Sequence, residues 1–148
     1  MYQYAECGLS HVYLLNGYHE EESDYGLVTS ISNITGLHDA IGKNIVSEKS
    51  AALSGEEIRF LRKELDLSQK NLGLLLGVED QTVARWEKGA VVIPRSADIL
   101  LRGLYMEAKF DSCKLSELVN KLSQLEAEHR MLRIEMQELE DEQWVVSA

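Results

Sequence analysis

Two short amphipathic stretches joined by one glycine constrain the fold of this chain more than any other feature. Ser68 is a good helix cap, leucines follow it at helical spacing, and Gly77 stands where the first stretch ends. Asp80 opens the second stretch, which runs to Gly89. Glycine adopts the positive φ of a tight turn without strain. The pattern therefore predicts two short helices folded against each other across a glycine turn.

The spacing of side chains divides these two helices into an inner and an outer face. The apolar residues expected between the helices are Leu72, Leu76, Val78, Val83 and Trp86. The polar residues left outward along one side of the second helix are Gln81, Thr82, Arg85 and Lys88. An exposed row of long hydrogen-bonding side chains suits the major groove of DNA, where base edges present donors and acceptors. A helical hairpin with no role in DNA binding is the alternative interpretation.

The rest of the region 51–110 is expected to be helical as well. Ser54 followed by Glu56 and Glu57 predicts a helix start, because a serine cap and acidic residues in the first turn both stabilise it. Pro94 breaks the loop that follows the second helix, and an apolar helix closes the region.

These helices resemble the Xre/Cro family of phage-repressor-like domains across about 58–105, and the similarity is carried by residues 60–69, 77–78 and 83–89. The resemblance implies a five-helix DNA-binding fold. The residues it places at base-facing positions are Glu79, Asp80, Gln81 and Arg85. The residues assigned to the DNA backbone are Ser68, Gln69, Thr82, Lys88 and Arg95. Gly73 departs from the alanine usual in the family, which is expected to cost about 1 kcal/mol of helix propensity.

The acidic charge of the chain lies outside this helical region. The net charge is −10, yet residues 51–110 hold nine Lys or Arg and nine acidic residues. Phosphate contacts depend on local placement, because charges are screened over about 8 Å at physiological salt. Acidic flanks are therefore compatible with a DNA-binding middle, and they are expected to weaken non-specific binding.

The first segment, 1–50, is predicted to be a small β-β-α module. Residues 11–15 and 27–31 are rich in strand formers, the acidic stretch 20–24 is expected to be a loop, and Thr35 is expected to cap a helix. The segment resembles regulators described as MqsA/YgiT-type antitoxins, through residues 4–9, 12–18 and 36–42. That resemblance implies a module that holds a toxin, often with zinc bound by paired CxxC motifs.

The chain lacks those CxxC motifs, so we expect no metal cofactor. Cys7 together with His11, His19 or His38 does not supply an evident set of four zinc ligands. The two cysteines, Cys7 and Cys113, lie far apart and indicate no disulfide framework.

The last segment, 111–148, is predicted to be one long helix with a heptad seam. The seam residues, spaced alternately by three and four, are Leu115, Leu118, Leu122, Leu125, His129, Leu132, Met136 and Leu139. This is the pattern of a coiled coil, and we expect it to join two copies of the chain. The alternative is that the apolar stripe folds back onto the globular part.

Together these patterns predict an α+β protein and exclude several functional classes. No phosphate-cradling glycine loop, HExxH or nucleophile motif indicates an enzyme. No apolar run is long enough to cross a membrane, and the N-terminus does not resemble a signal peptide, so a cytoplasmic location is expected. The expected function is a dimeric transcriptional repressor that binds an inverted-repeat operator in double-stranded DNA. One alternative is an antitoxin that binds a cognate toxin through its N-terminal module and represses its own operon. The other is a protein that acts only through contacts with other proteins.

Overall fold

The computed structural model describes residues 1–110 and 133–147, and it confirms an α+β protein. The contacts divide the chain into two compact units. One contains Met1–Ile41 and the C-terminal strands, and the other begins at Gly42 and contains the helical region. None of the helices in the described part of the chain has both the length and the apolar character needed to cross a membrane.

A four-stranded sheet joins the two ends of the chain in the first unit. Its strands are β1 (Tyr2–Gln3), β2 (Val12–Leu14), β5 (Ile134–Glu138) and β6 (Trp144–Val146), and their order in the sheet is β1-β2-β5-β6. Strand β2 runs parallel to β5, with Val12 opposite Ile134, whereas the other two pairings are antiparallel. The buried side chains of Val12, Leu14 and Met136 form the core of this sheet.

The C-terminal strands correct the prediction of one helix over 111–148. Met136 fits the heptad spacing, but it also alternates with polar neighbours, as Ile134 does. Pairing with β2 satisfies the backbone hydrogen-bonding groups of β5 and buries Met136 completely. Residues 134–138 therefore form a strand, as their alternation of apolar and polar residues favours, and not a helix. Leu139 lies just beyond β5 and is exposed. The other predicted seam residues lie outside the described residues: Leu115, Leu118, Leu122, Leu125, His129 and Leu132.

A second, two-stranded sheet follows β2 and corrects the loop predicted at 20–24. Strand β3 (Tyr18–Ser23) pairs antiparallel with β4 (Gly26–Ile31), and Glu21 stands opposite Val28. Most of this hairpin is exposed, so its acidic side chains remain in water while the backbone pairs. Polarity alone therefore did not exclude a strand, because an exposed hairpin needs no apolar face on each strand.

The predicted helix of the first segment is confirmed as α1 (Ile34–Glu48). Its cap is Asn33 instead of Thr35, since the Oδ1 atom of Asn33 accepts the N–H of Gly36 at 3.2 Å. The residues predicted to form its apolar face are all buried, namely Leu37, Ile41 and Ile45.

The helical region consists of α2 (Gly55–Glu64), α3 (Gln69–Leu76), α4 (Asp80–Glu87) and α5 (Arg95–Phe110). Ser54 caps α2 as predicted: its hydroxyl accepts the N–H of Glu57, and the carboxylate of Glu57 accepts the N–H of Ser54. The apolar core contributed by these helices includes Ile58, Phe60, Leu61, Leu72, Val83, Trp86, Leu101 and Tyr105.

A buried ion pair on α5 holds the segment that leads into α2. Arg102 Nε donates to Asp98 Oδ1 at 2.6 Å, and neither side chain is accessible to water. The guanidinium also donates to the carbonyls of Val46, Lys49 and Ala51. Burial raises the pKa of the Asp98 carboxyl, although the guanidinium and the N–H of Leu53 both favour the charged form. Every charged group of the pair therefore has several partners, as a buried charge requires.

Candidate nucleic-acid interface

The predicted pair of short helices is confirmed in α3 and α4. The hydroxyl of Ser68 caps α3 by accepting the N–H of Asn71 at 3.0 Å. Gly77 ends α3 in the left-handed conformation, with φ of 74°. Its N–H donates to the carbonyl of Gly73, which closes the helix before the chain enters α4.

The structure gives a packing reason for glycine at position 73, in addition to its low helix propensity. A Cβ atom at this position would lie 2.6 Å from the carbonyl oxygen of Val78, which is closer than real contacts of this kind. The N–H of Val78 donates back to the carbonyl of Gly73 at 2.8 Å. Because glycine has no side chain, the turn can lie directly against α3. Glycine has a low helix propensity, but a larger residue at this position would push the turn away.

The inner face of α4 fixes this helix on the domain. Val83 and Trp86 are buried, as is Leu72 on α3, whereas Leu76 and Val78 are half-buried. The predicted inner face is therefore confirmed, and Leu72, Val83 and Trp86 are its most deeply buried residues.

A charged bridge between α2 and α4 was not predicted from the sequence. Arg62 donates from Nε and Nη2 to the two carboxylate oxygens of Glu87, at 2.8 and 2.9 Å. Arg62 also donates to the carbonyl of Leu67, and Gln69 Nε2 donates to Glu87 Oε1 at 3.3 Å. The side chains of Arg62 and Glu87 are 11% and 5% exposed, so α4 is held by a largely desolvated, bidentate contact.

The outer face of α4 presents the polar residues that were predicted there. Gln81, Arg85 and Lys88 are exposed and recur at spacings of four and three, so they lie along one side of the helix. Thr82 is half-buried beside them, and Arg95 is exposed at the start of α5. Within residues 1–110 and 133–147, the side chains of Arg85, Lys88 and Arg95 form no ion pair. These three cations are therefore available to an anionic ligand.

The other residues assigned to DNA lie around the beginnings of α3 and α4. Ser68 is exposed and engaged as a cap, and Gln69 is half-buried and contacts Glu87. Glu79 and Asp80 are both exposed at the start of α4. Asp80 Oδ1 accepts the N–H of Gln81 at 2.9 Å, so one of its oxygens is already bonded to the helix terminus.

The candidate zinc ligands of the first segment do not come together. Within the described ranges, no three His, Cys, Asp or Glu side chains form a group that could hold a metal ion. Two of the candidate side chains have other contacts. Tyr4 Oη lies 2.7 Å from His38 Nε2, and Cys7 Sγ donates to the carbonyl of Tyr4.

Comparison with known families agrees with this geometry. Residues 58–100 match the family model described as helix-turn-helix, a range that runs from α2 into α5 and contains the α3–α4 pair. Neither the curated proteins nor the solved structures compared with the chain gave a match. The match supports an Xre/Cro-like regulator of transcription that binds DNA through this region.

Proposed function

We propose that this protein is a transcriptional repressor that binds an inverted-repeat operator as a dimer. The observation that carries the proposal is the division of α4 into two faces. Val83 and Trp86 are buried, while Gln81, Arg85 and Lys88 are exposed together. A short helix held rigidly on one face and polar on the other suits insertion into the major groove.

The exposed residues of α4 have distinct roles in this proposal. Arg85 donates two hydrogen bonds to a guanine, and Gln81 pairs with an adenine, because these side chains match the groove edges of those bases. Glu79 and Asp80 face bases as well, where a carboxylate accepts from the amino group of cytosine. The residues that contact phosphate or the backbone are Ser68, Gln69, Thr82, Lys88 and Arg95.

Affinity measurements on single variants test these roles. Arg85→Ala and Gln81→Ala should each lose about 1–3 kcal/mol of specific binding and relax base choice, whereas Lys88→Ala should weaken binding to all sequences. Lys88→Ala should also reduce the slope of log affinity against log salt by about 1, since one phosphate contact is lost. Arg59→Ala is the matched control, because Arg59 is an exposed cation on α2, outside the proposed base-reading set. An Arg85→Ala protein that binds its operator as tightly as the parent would contradict the proposal.

The dimer follows from the small number of base pairs that one recognition helix reads. Two copies related by a two-fold axis read half-sites about 34–36 Å apart, so the operator should be an inverted repeat. We propose that the seam residues between Leu115 and Leu132, which lie outside the described residues, join the copies. Inserting half a helical turn of DNA between the half-sites should abolish the tight complex. An unchanged affinity would show that the two sites are bound independently.

A second candidate function is an antitoxin that neutralises a toxin and represses its own operon. The exposed β3–β4 hairpin favours it, because Tyr25, Leu27 and Val28 are apolar and yet 100%, 63% and 51% exposed. Exposed apolar surface marks a protein-binding site where it forms a contiguous patch, and these three residues are the candidates for such a patch on the hairpin. Co-purification of the chain with the product of an adjacent gene, lost when Leu27 and Val28 are replaced by Ser, would support this function. Operator binding with no such protein partner would favour the stand-alone repressor.

A further inference from the structure

The loop that follows the recognition helix presents an apolar tip that the proposed function does not use. Residues 90–92, here called the valine tip, are Ala90, Val91 and Val92, and all three are exposed. Val91 and Val92 are 52% and 59% exposed. The next residue, Ile93, is 3% exposed and anchors the loop in the core. The tip is therefore an apolar projection between two structured elements.

The position of the valine tip relative to α4 is defined by backbone hydrogen bonds. Gly89 has φ of 75°, its N–H donates to the carbonyl of Trp86, and the N–H of Ala90 donates to the carbonyl of Arg85. This pair of bonds is the Schellman motif, which turns the chain sharply at a helix end. The tip is thus connected rigidly to the helix that carries Arg85, and it is continuous with the proposed DNA interface.

The charged residues on either side of the valine tip indicate which part of the DNA the tip contacts. Lys88 precedes Val91 by three residues and Arg95 follows Val92 by three, and both are exposed. Within the described residues, neither cation forms an ion pair, and the tip itself carries no acidic group. If the two cations contact phosphates, the loop between them lies along the DNA backbone. The groups that separate successive phosphates are deoxyribose rings, whose CH groups are apolar.

We infer that the valine tip packs against deoxyribose of the operator, adding an apolar contact beside the phosphate contacts of Lys88 and Arg95. This inference rests on the proposed function. Valine suits the role because its branched side chain has few rotamers and loses little freedom on contact. An apolar contact with sugar releases no counterions, so it contributes affinity that salt does not weaken. It also contributes no base preference of its own, since every nucleotide presents the same sugar.

Two sets of variants test the inference, once the operator of the parent protein is known. Val91→Ala with Val92→Ala should lose about fivefold in affinity at every salt concentration, with an unchanged salt slope. Val91→Lys should place a new cation at the backbone, and it should steepen the slope of log affinity against log salt by about 0.9. Val28→Lys is the matched control, because Val28 is 51% exposed on β4, and it should change the slope much less.

The outcomes separate this inference from the proposed function. A parent protein that binds no DNA sequence specifically would overturn the proposed function and the inference with it. A parent that binds its operator, with Val91→Ala and Val92→Ala together binding equally well, would overturn the inference alone. If the variant with both Val91→Ala and Val92→Ala were a monomer in light scattering while the parent is a dimer, the tip would be a contact between copies. That result would also overturn the inference. Circular dichroism of each variant establishes that the helices are intact.

Discussion

The bridge between Arg62 and Glu87 makes a quantitative prediction about the stability of the DNA-binding region. Arg62→Met removes two charge-assisted hydrogen bonds from the Glu87 carboxylate, which is 5% exposed. Among residues 1–110 and 133–147, the hydrogen bond that remains to this carboxylate is the 3.3 Å contact from Gln69. Removing one partner of a buried pair costs about 3–5 kcal/mol, because the remaining charge is desolvated without compensation. Whole domains are stable by only about 5–15 kcal/mol, so the variant should be unfolded by markedly less urea.

Urea unfolding followed by tryptophan fluorescence measures this effect. Trp86 lies in the helical region and Trp144 in the other unit, so a Trp144→Phe background makes the signal report on the helical region alone. Replacing both Arg62 and Glu87 by Met should cost less than Arg62→Met, since no isolated charge remains. Arg59→Met, an exposed change on the same helix, should stay within about 0.5 kcal/mol of the parent. A cost below about 1 kcal/mol for Arg62→Met would show that the bridge does not hold α4 as a buried ion pair does.

Two further predictions concern the turn and the buried carboxyl. Gly77→Ala should destabilise the helical region by about 1 kcal/mol in the same assay, because φ is 74° and an added Cβ meets no atom within 4 Å, so the cost is conformational alone. A larger loss would indicate a clash that the structure does not contain. Burial raises the pKa of Asp98 from 3.8, so the folded state binds this proton more tightly than the unfolded chain. The Asp98 contribution to the free energy of unfolding is therefore complete below pH 3.8 and is lost as pH rises from 3.8 through the raised pKa of the folded protein. The stability of the parent relative to Asp98→Asn should decrease across this window. An increase would contradict the direction of the shift.

The parts of the fold that local sequence determines could be predicted. Ser54 and Ser68 cap helices through bonds to residues three positions away, and Gly77 ends a helix through its own φ. Such signals are complete within one turn of chain, so periodicity and capping residues are sufficient to place α2 and α3.

The strands at the C-terminus could not be predicted in the same way. Val12 pairs with Ile134, a partner 122 residues away, and nothing local to either segment specifies that pairing. Met136 fits a heptad and a strand alternation equally well, so the short pattern was ambiguous until the partner strand was known. The hairpin strand β3 is a further case, because its backbone pairing with β4 outweighs the polarity of its side chains.

Part of the candidate site was visible in the sequence and part was not. The exposed positions of Gln81, Arg85 and Lys88 follow from helical spacing against buried neighbours. The bridge from Arg62 to Glu87 joins residues 25 positions apart, and its only sequence signal is a pair of opposite charges, which is common on solvated helices. The reason for Gly73 also required the structure, since it depends on how closely the Val78 carbonyl approaches α3.

Selection from a randomised duplex DNA library measures whether the chain reads base sequence and whether Arg85 contributes to that reading. The purified full-length chain, Arg85→Ala and the control Arg59→Ala are each used to enrich bound sequences. We expect the parent to enrich an inverted repeat whose half-sites are about one helical turn, or 10–10.5 base pairs, apart. We expect Arg59→Ala to recover the same repeat, and Arg85→Ala to lose the base preference at one position of each half-site. No enrichment by the parent would contradict sequence-specific DNA binding, and an identical repeat from Arg85→Ala would contradict the role of Arg85 in reading a base.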